Sequence, residues 1–201
     1  MAVSPVRVAI IGHSFIRRLR EYAEKCNIKN LNLDSHFSVS MRGKGGLCLK
    51  HLSYDASILR FVSSPDICFL QLGENDIQSN SVPLKIATDI IAIANFLHDG
   101  VGVKIVLVGH LLRRLPYSAC NGFNEKVVEI NRCLKVMSNH IDGVEFWSHR
   151  GFWADLSYLG PDGAHLMCTP SNCQPMRKFM RSIRNAVLVA EKKLRPVLMY
   201  S

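Results

Sequence analysis

Four residues have the types and spacing that acyl transfer by a serine nucleophile needs. Ser14 lies directly after one apolar run, Asn75 follows another, and Asp162 and His165 lie three residues apart. The chemistry requires a nucleophile, a base within hydrogen-bond reach, a group that orients the base, and donors for the oxyanion. We therefore interpret Ser14 as the candidate nucleophile, His165 as the candidate base and Asp162 as its orienting partner.

Donors for an oxyanion are present beside the candidate nucleophile. Ser14 is expected at a strand-to-helix turn, so its own N–H would lie near a helix N-terminus, where negative charge is favoured. Gly45 or Gly46 would let a backbone N–H approach the oxyanion without a Cβ in the way. The side-chain amide of Asn75 can donate one more hydrogen bond. Together these groups form the expected oxyanion hole.

Each candidate also has an ordinary structural interpretation. A serine after a strand is usually a helix N-cap, and neighbouring glycines commonly serve a tight turn. Asn75-Asp76 and Asp162-Gly163 are typical of loops and turns, and a single histidine is more often structural than catalytic. The combination of all these residues, each at a predicted loop beside the sheet, favours the catalytic interpretation.

The elements that must position these residues alternate between strand and helix along the chain. The sequence predicts strands at residues 6–11, 32–41, 66–72, 103–108 and 144–147. It predicts helices at residues 15–25, 47–61, 83–98, 124–139 and 174–193. This alternation predicts one α/β domain over residues 1–201, a three-layer α/β/α sandwich around a five-stranded, mainly parallel sheet. The functional crevice of such a sheet lies outside the carboxyl ends of its strands.

Four short blocks resemble those of the SGNH (GDSL-like) hydrolase superfamily: Ile11-Gly12-His13-Ser14-Phe15, Gly46, Gly73-Glu74-Asn75-Asp76 and Asp162-Gly163-Ala164-His165. The resemblance implies the flavodoxin-like SGNH hydrolase fold and a serine esterase that uses no cofactor and no metal. It implies that Ser14 is the nucleophile and a backbone oxyanion donor, with Gly46 and Asn75 as the other donors. His165 would be the general base, oriented by Asp162.

The sequence departs from the superfamily at two positions. His13 stands where an aspartate is usual, and Phe15 where leucine is usual. That aspartate does not exchange a proton with the serine, so its loss leaves the triad complete but changes the hydrogen bonding that shapes the turn. The glycine block allows Gly43, Gly45 or Gly46. We prefer Gly46, because residue 47 would then open the next helix directly.

Composition excludes several classes of protein. The chain has 201 residues, of which 48% are hydrophobic and 20% charged, which is too apolar for a disordered tail. No apolar run reaches the ~18 residues that span a bilayer, and the first residues lack the pattern of a signal peptide. Seven scattered cysteines predict reduced thiols and a cytoplasmic protein. Cys168 and Cys173 lie near His165, but no set of four ligands at zinc spacing accompanies them.

A net charge of +9 favours an alternative in which the protein binds nucleic acid. The surplus lies at residues 17–20, at residues 113–114 and in the last helix. A catalytically idle module could hold RNA or single-stranded DNA through this basic face, although solvated helix faces are the more common explanation of such charge. Residues 12–19 and 181–187 also resemble the SGNH-type domains of proteins from animal retrotransposons and other mobile elements.

The leading prediction is a serine esterase acting on a small-molecule ester. Two other reactions fit the same candidate residues, namely deacetylation of a sugar and transfer of an acyl group. Trp153 lies in the loop that approaches Asp162, where it either lines the substrate pocket or is a buried anchor of the loop.

Overall fold

A computed structural model describes residues 4–52 and 57–194. Its strands are β1 (Val6–Gly12), β2 (Phe37–Gly43), β3 (Ile67–Gln71), β4 (Ile105–Gly109) and β5 (Val144–Trp147). They form one sheet in the order β2-β1-β3-β4-β5, and every pairing is parallel. The predicted five-stranded parallel sheet is therefore confirmed.

Five α-helices connect or follow these strands: α1 (Ser14–Lys25), α2 (Leu49–Leu52), α3 (Pro83–Asn95), α4 (Phe123–Ser138) and α5 (Gln174–Leu194). A π-helical turn at Phe96–Gly100 continues α3. Short 3-10 segments lie at Asn30–Asn32, Ser57–Leu59, Glu74–Asp76 and Pro116–Ser118.

Two apolar clusters lie on opposite faces of the sheet. Ile11 and Leu70 belong to the cluster that includes α3 and α4, whereas their neighbours Ile10 and Phe69 belong to the cluster with α1 and α5. Successive strand residues point to opposite faces, so a strand covered on both faces must be apolar throughout. This is why β3 and β4, which are buried at every position, appear in the sequence as continuous apolar runs, and it confirms the three-layer sandwich.

The predicted helix over residues 47–61 is wrong. Only Leu49–Leu52 is α-helical and Ser57–Leu59 is a 3-10 turn, while residues 53–56 lie outside the described part of the chain. The Arg42 guanidinium donates to the carbonyl oxygens of Ile58 (3.2 Å) and Arg60 (2.5 Å). These side-chain hydrogen bonds hold the second part of the segment in an irregular conformation, which apolar spacing alone does not reveal.

The second strand begins later than predicted. Residues 32–36 lie outside β2, because Asn30, Leu31 and Asn32 adopt left-handed backbone angles that extended strands do not use. The strand then pairs with β1 from Val6 opposite Phe37 to Gly12 opposite Gly43. This register brings the carboxyl ends of the two strands together at one edge of the sheet.

The cysteines differ in part from the sequence prediction. Cys168 and Cys173 form a disulfide, so the prediction of reduced thiols is wrong for this pair, while the other five cysteines are free. The backbone hydrogen bonds between Thr169 and Asn172 turn the loop back on itself and bring the two sulfurs together. Within residues 4–52 and 57–194, no helix has the length and apolar character needed to cross a membrane.

Candidate active site

A sharp turn between β1 and α1 holds Ser14. Gly12 is required there, since a Cβ at this position would lie 2.5 Å from the Gln71 carbonyl oxygen. His13 is the N-cap of α1, and its Nδ1 accepts the N–H of Phe15 at 3.5 Å. The Ser14 N–H donates to no group among the described residues. It therefore remains available at the positive end of the helix.

The structure brings Ser14, His165 and Asp162 into one hydrogen-bonded chain. Ser14 Oγ lies 2.8 Å from His165 Nε2, and His165 Nδ1 lies 2.8 Å from Asp162 Oδ2. An ionised carboxylate can only accept hydrogen bonds, so the imidazole carries its proton on Nδ1. His165 Nε2 is then free to accept the proton of the serine hydroxyl.

The loop that carries the acid and the base is fixed by its own hydrogen bonds. Asp162 Oδ1 accepts the N–H groups of His165 (2.9 Å) and Ala164 (3.1 Å). Partial burial alone would raise the pKa of Asp162, but these N–H groups and the His165 side chain lower it to about 2. Arg18 Nη2 also lies 3.4 Å from Asp162 Oδ2. Asp162 is therefore a carboxylate at every pH at which the protein would work.

His165 is neutral near pH 7. Burial, the largest influence, lowers the pKa of His165 below its usual value of 6.5, although Asp162 acts in the opposite direction. A neutral imidazole is the form that can accept a proton from serine.

This electrostatic setting predicts the pH dependence of ester hydrolysis. Protonation of His165 removes the base, so kcat/KM is expected to fall tenfold per pH unit below an apparent pKa that lies under 6.5, and to be level just above it. Initial rates with a neutral aryl ester from mildly acidic to mildly basic pH measure this profile. A pH profile of kcat/KM with its midpoint well above the usual histidine pKa would contradict the assignment of His165 as the base.

The side chain of Asn75 donates only one of its two amide N–H groups to a described residue. Asn75 Nδ2 donates to the Leu47 carbonyl oxygen at 3.1 Å, and Arg114 Nη2 donates to Asn75 Oδ1 at 3.1 Å. Arg114 thereby fixes which end of the amide is the donor, and its guanidinium lies 4.8 Å from the centre of the Phe123 ring. Sequence reasoning missed Arg114, because nothing in its local spacing indicates a partner 39 residues away.

The glycine segment leaves two backbone donors available. Neither Gly45 nor Gly46 donates its N–H to another described residue. Gly46 has φ +69° and open space around its Cα. The next helix begins at Leu49, so the reason for preferring Gly46 over Gly45 is wrong, and the choice stays a prediction. Gly43 serves packing, since a Cβ there would lie 2.1 Å from the Arg17 backbone nitrogen.

A buried polar network lies behind the nucleophile, and sequence reasoning missed it. His13 Nε2 contacts Glu74 Oε2 at 2.6 Å, and the two side chains are 1% and 0% exposed. Glu74 Oε1 accepts from Gln71 Nε2 (2.8 Å) and from the N–H of Leu112 (3.1 Å). His149 Nε2 lies 3.0 Å from Gln71 Oε1. Polar residues at these positions were the available clue, but their pairing is visible only in three dimensions.

The structure also shows the environment of two other features of the sequence, Trp153 and the pair Cys168 and Cys173. Trp153 is 43% exposed, and the Arg113 guanidinium stacks 4.7 Å from the centre of its ring. At this exposure Trp153 is not a buried anchor, so that interpretation is wrong, and its place in a substrate pocket stays a prediction. Cys168 and Cys173 are bonded to each other, so they do not offer thiolates to a metal.

Comparison with known proteins places the fold. Neither a protein-family model nor a curated protein matches the sequence. Among solved structures, a member of the lipolytic G-D-S-L family from Veillonella parvula aligns with TM-score 0.65 and 16% identity, over 90% of this chain and 98% of that chain. A carbohydrate esterase of family 3 from Talaromyces cellulolyticus aligns with TM-score 0.64 and 15% identity, over 93% of this chain and 99% of that chain.

An acetylxylan esterase from Geobacillus stearothermophilus, Axe2, also shares the fold. A catalytic mutant of it aligns with TM-score 0.64 and 11% identity, over 93% of this chain and 96% of that chain. At such low identities the likeness establishes the fold alone, which this chain shares with a G-D-S-L family member and two esterases. The predicted α/β fold is therefore confirmed.

Proposed function

We propose that the protein is a serine esterase. The observation that carries the proposal is the chain from Ser14 Oγ through His165 to Asp162, with both distances at 2.8 Å. Gly12 and Gln71 are register partners at the carboxyl ends of β1 and β3, so Ser14 and Asn75 follow neighbouring strand ends, and their remaining N–H groups are the candidate donors of an oxyanion hole. The ester-hydrolase neighbours of the fold support the same reaction class.

The reaction follows from these positions. Ser14 Oγ attacks the ester carbonyl carbon while His165 Nε2 takes the hydroxyl proton. The N–H groups of Ser14 and Gly46 and the free N–H of Asn75 hold the oxyanion. When the tetrahedral intermediate collapses, His165 gives its proton to the leaving alcohol, and an acyl group remains on Ser14. A water molecule then gives a proton to His165 and attacks the acyl carbon. When this second intermediate collapses, the bond to Ser14 Oγ breaks, His165 returns the proton to that oxygen, and the acid is released.

The substrate class proposed is a short acyl or acetyl ester. Two of the fold neighbours are a carbohydrate esterase and an acetylxylan esterase, so acetylated sugars are a natural test beside simple aryl esters. Acetate release from both substrates should be measured, with Ser14→Ala as the blank. Acetate release that depends on Ser14, from either substrate, supports the proposal. If neither substrate releases acetate, the proposal is contradicted. An acylated acceptor alcohol in place of free acid would identify acyl transfer.

Asn75 should contribute strongly to turnover. Asn75→Ala removes an oxyanion donor, so kcat is expected to fall by ~10²–10³ with a smaller change in KM. Asn75→Asp should lose as much, because a carboxylate beside Arg114 has no N–H to offer. Asn185→Ala, which changes an exposed amide on α5, is the matched control. Retention of wild-type kcat by Asn75→Ala would show that the amide does not face the oxyanion.

A basic groove favours nucleic-acid binding as a second candidate function. Two adjoining cavities of about 760 and 450 Å³ between α1 and the first half of α5 share Tyr22 and Arg177. Their basic lining residues are Arg17, Arg18, Lys25, Arg177, Arg181 and Arg184. The acidic lining residues are Glu21, which contacts Arg17 at 2.6 Å, and Asp162, which contacts His165 at 2.8 Å and Arg18 at 3.4 Å. The unmatched positive charge suits a chain of phosphates.

Binding of single-stranded RNA at increasing salt tests the groove. We expect the association constant to fall steeply with salt, and the variant Arg177→Ala/Arg181→Ala to weaken binding without changing ester hydrolysis. Lys192→Ala/Lys193→Ala at the far end of α5 is the control. If Arg177→Ala/Arg181→Ala binds RNA with the affinity of the wild type, this surface is excluded as the RNA-binding site. A protein inert to esters that still binds RNA would favour the idle module, and the resemblance to mobile-element proteins stays a prediction.

A further inference from the structure

The nucleophile lies between two carboxylate–imidazole pairs. One is Asp162–His165, described above. The other is Glu74–His13, in which His13 Nδ1 lies 3.4 Å from Ser14 Oγ and His13 Nε2 lies 2.6 Å from Glu74 Oε2. The second pair is fully buried. A buried charge is retained only when it is paired and hydrogen-bonded, so the position of the proton on His13 matters.

The network behind His13 can be assigned from a group that only accepts. Gln71 Nε2 donates to the backbone carbonyl oxygen of His110 at 3.1 Å, so Gln71 Oε1 is the end of the amide that faces His149 Nε2, and this ring nitrogen must donate to it. Burial lowers the pKa of His149 well below its usual value, so His149 is neutral and its one proton is on Nε2. That N–H donates to Gln71 Oε1 at 3.0 Å.

The same reasoning extends to His13. With its oxygen facing His149, Gln71 donates through Nε2 to Glu74 Oε1 at 2.8 Å, and the N–H of Leu112 donates to the same oxygen at 3.1 Å. Glu74 Oε2 is thus left for His13, which must donate through Nε2–H. His13 Nδ1 then carries a lone pair, consistent with the N–H of Phe15 donating to it.

We propose that Glu74 is a positioning residue for Ser14. It holds the proton of His13 on Nε2, so that His13 Nδ1 caps α1 as an acceptor and fixes the turn from which Ser14 presents its hydroxyl and N–H. The pair thereby replaces the aspartate that is usual before the serine. The imidazole supplies the acceptor, and the negative charge lies one side chain deeper, on Glu74. This inference rests on the proposed esterase reaction.

Glu74→Gln tests the assignment with almost no change of shape. The amide oxygen must take the place of Oε1, because two N–H groups point there, so the amide NH₂ faces His13 Nε2. His13 Nε2 must then accept, and its proton moves to Nδ1, where it opposes the N–H of Phe15. We expect kcat to fall by ~10²-fold, as a displaced nucleophile would cause, with KM little changed. Glu145→Gln, at a surface pair with Lys193, is the matched control.

A conservative double variant provides the decisive comparison. His13→Asp alone brings a second carboxylate close to Glu74 in a buried site and is expected to be inactive or unstable. In His13→Asp/Glu74→Gln, the carboxylate introduced at position 13 accepts from the N–H of Phe15 and faces a neutral amide in place of a second carboxylate. The double variant should therefore have a higher kcat than either single variant. A merely structural role for Glu74 would not produce this rescue.

The tautomer of His13 can also be read directly from the ¹⁵N shifts of its ring by NMR. We expect Nε2–H in the wild type and Nδ1–H in Glu74→Gln. An unchanged tautomer and kcat in Glu74→Gln, or a double variant no faster than the single variants, would overturn the inference. If the wild type hydrolyses no ester, the proposed function fails, whereas the tautomer measurement still decides the role of Glu74.

Discussion

Ser14→Ala is expected to lower kcat for a short-chain aryl ester by about 10⁶-fold, the scale of nucleophile loss in serine hydrolases. The variant has no oxygen to form the acyl-enzyme, and His165 loses the group that it deprotonates. The fold should survive, because the substitution removes one small hydroxyl from a residue that is 8% exposed and introduces a good helix former at the start of α1. Steady-state rates and thermal melting measure the two effects.

The control for this variant is Ser148→Ala, which changes an exposed serine and should retain wild-type rates. A melting temperature close to that of the wild type shows that lost activity reflects lost chemistry. Equal kcat in the wild type and in Ser14→Ala would exclude Ser14 as the nucleophile. Nucleic-acid binding at the basic groove would then be the remaining functional hypothesis.

Asp162→Asn has the second largest expected effect, a loss of about 10⁴-fold in kcat. The N–H groups of Ala164 and His165 both point at Oδ1, so the amide oxygen takes that position and the NH₂ group faces His165 Nδ1. The imidazole must then carry its proton on Nε2, where it meets Ser14 Oγ as a second donor. The geometry is retained, but the base can no longer accept the serine proton.

Rates at neutral pH and above measure this loss, since in acid the wild type also loses its base. The control is Asp142→Asn, which changes an exposed carboxylate outside the site and should behave as wild type. An Asp162→Asn protein with kcat close to that of the wild type would show that His165 does not depend on this carboxylate. Serine attack would then need another base.

The fold was predictable where burial imposes a simple pattern. The strands ending at Gln71 and Trp147 are covered on one or both faces, and their apolar runs predict them almost to the residue. The segment over residues 47–61 was not predictable, because Arg42 binds its carbonyl oxygens from another element. Spacing within a segment carries no information about such a distant partner.

The candidate site also has residues whose positions the sequence predicts and residues whose roles it does not. Ser14 and Asn75 follow strands, so their place at one edge of the sheet follows from the parallel topology. Asp162 and His165 meet because a short turn joins them. Glu74 is different, since its role comes from contacts with His13, 61 residues earlier, and Leu112, 38 residues later. Which of the two adjacent glycines holds the oxyanion also depends on turn geometry that the sequence does not specify.

Active-site labelling tests the central claim most directly. A fluorophosphonate reacts with a serine that a neighbouring base has activated, and the phosphonyl group stays on its oxygen as fluoride leaves. We expect one adduct per wild-type chain, located by mass spectrometry at Ser14, and none in Ser14→Ala. Labelling of both proteins to the same extent, or a wild type that acquires no adduct, would contradict the account.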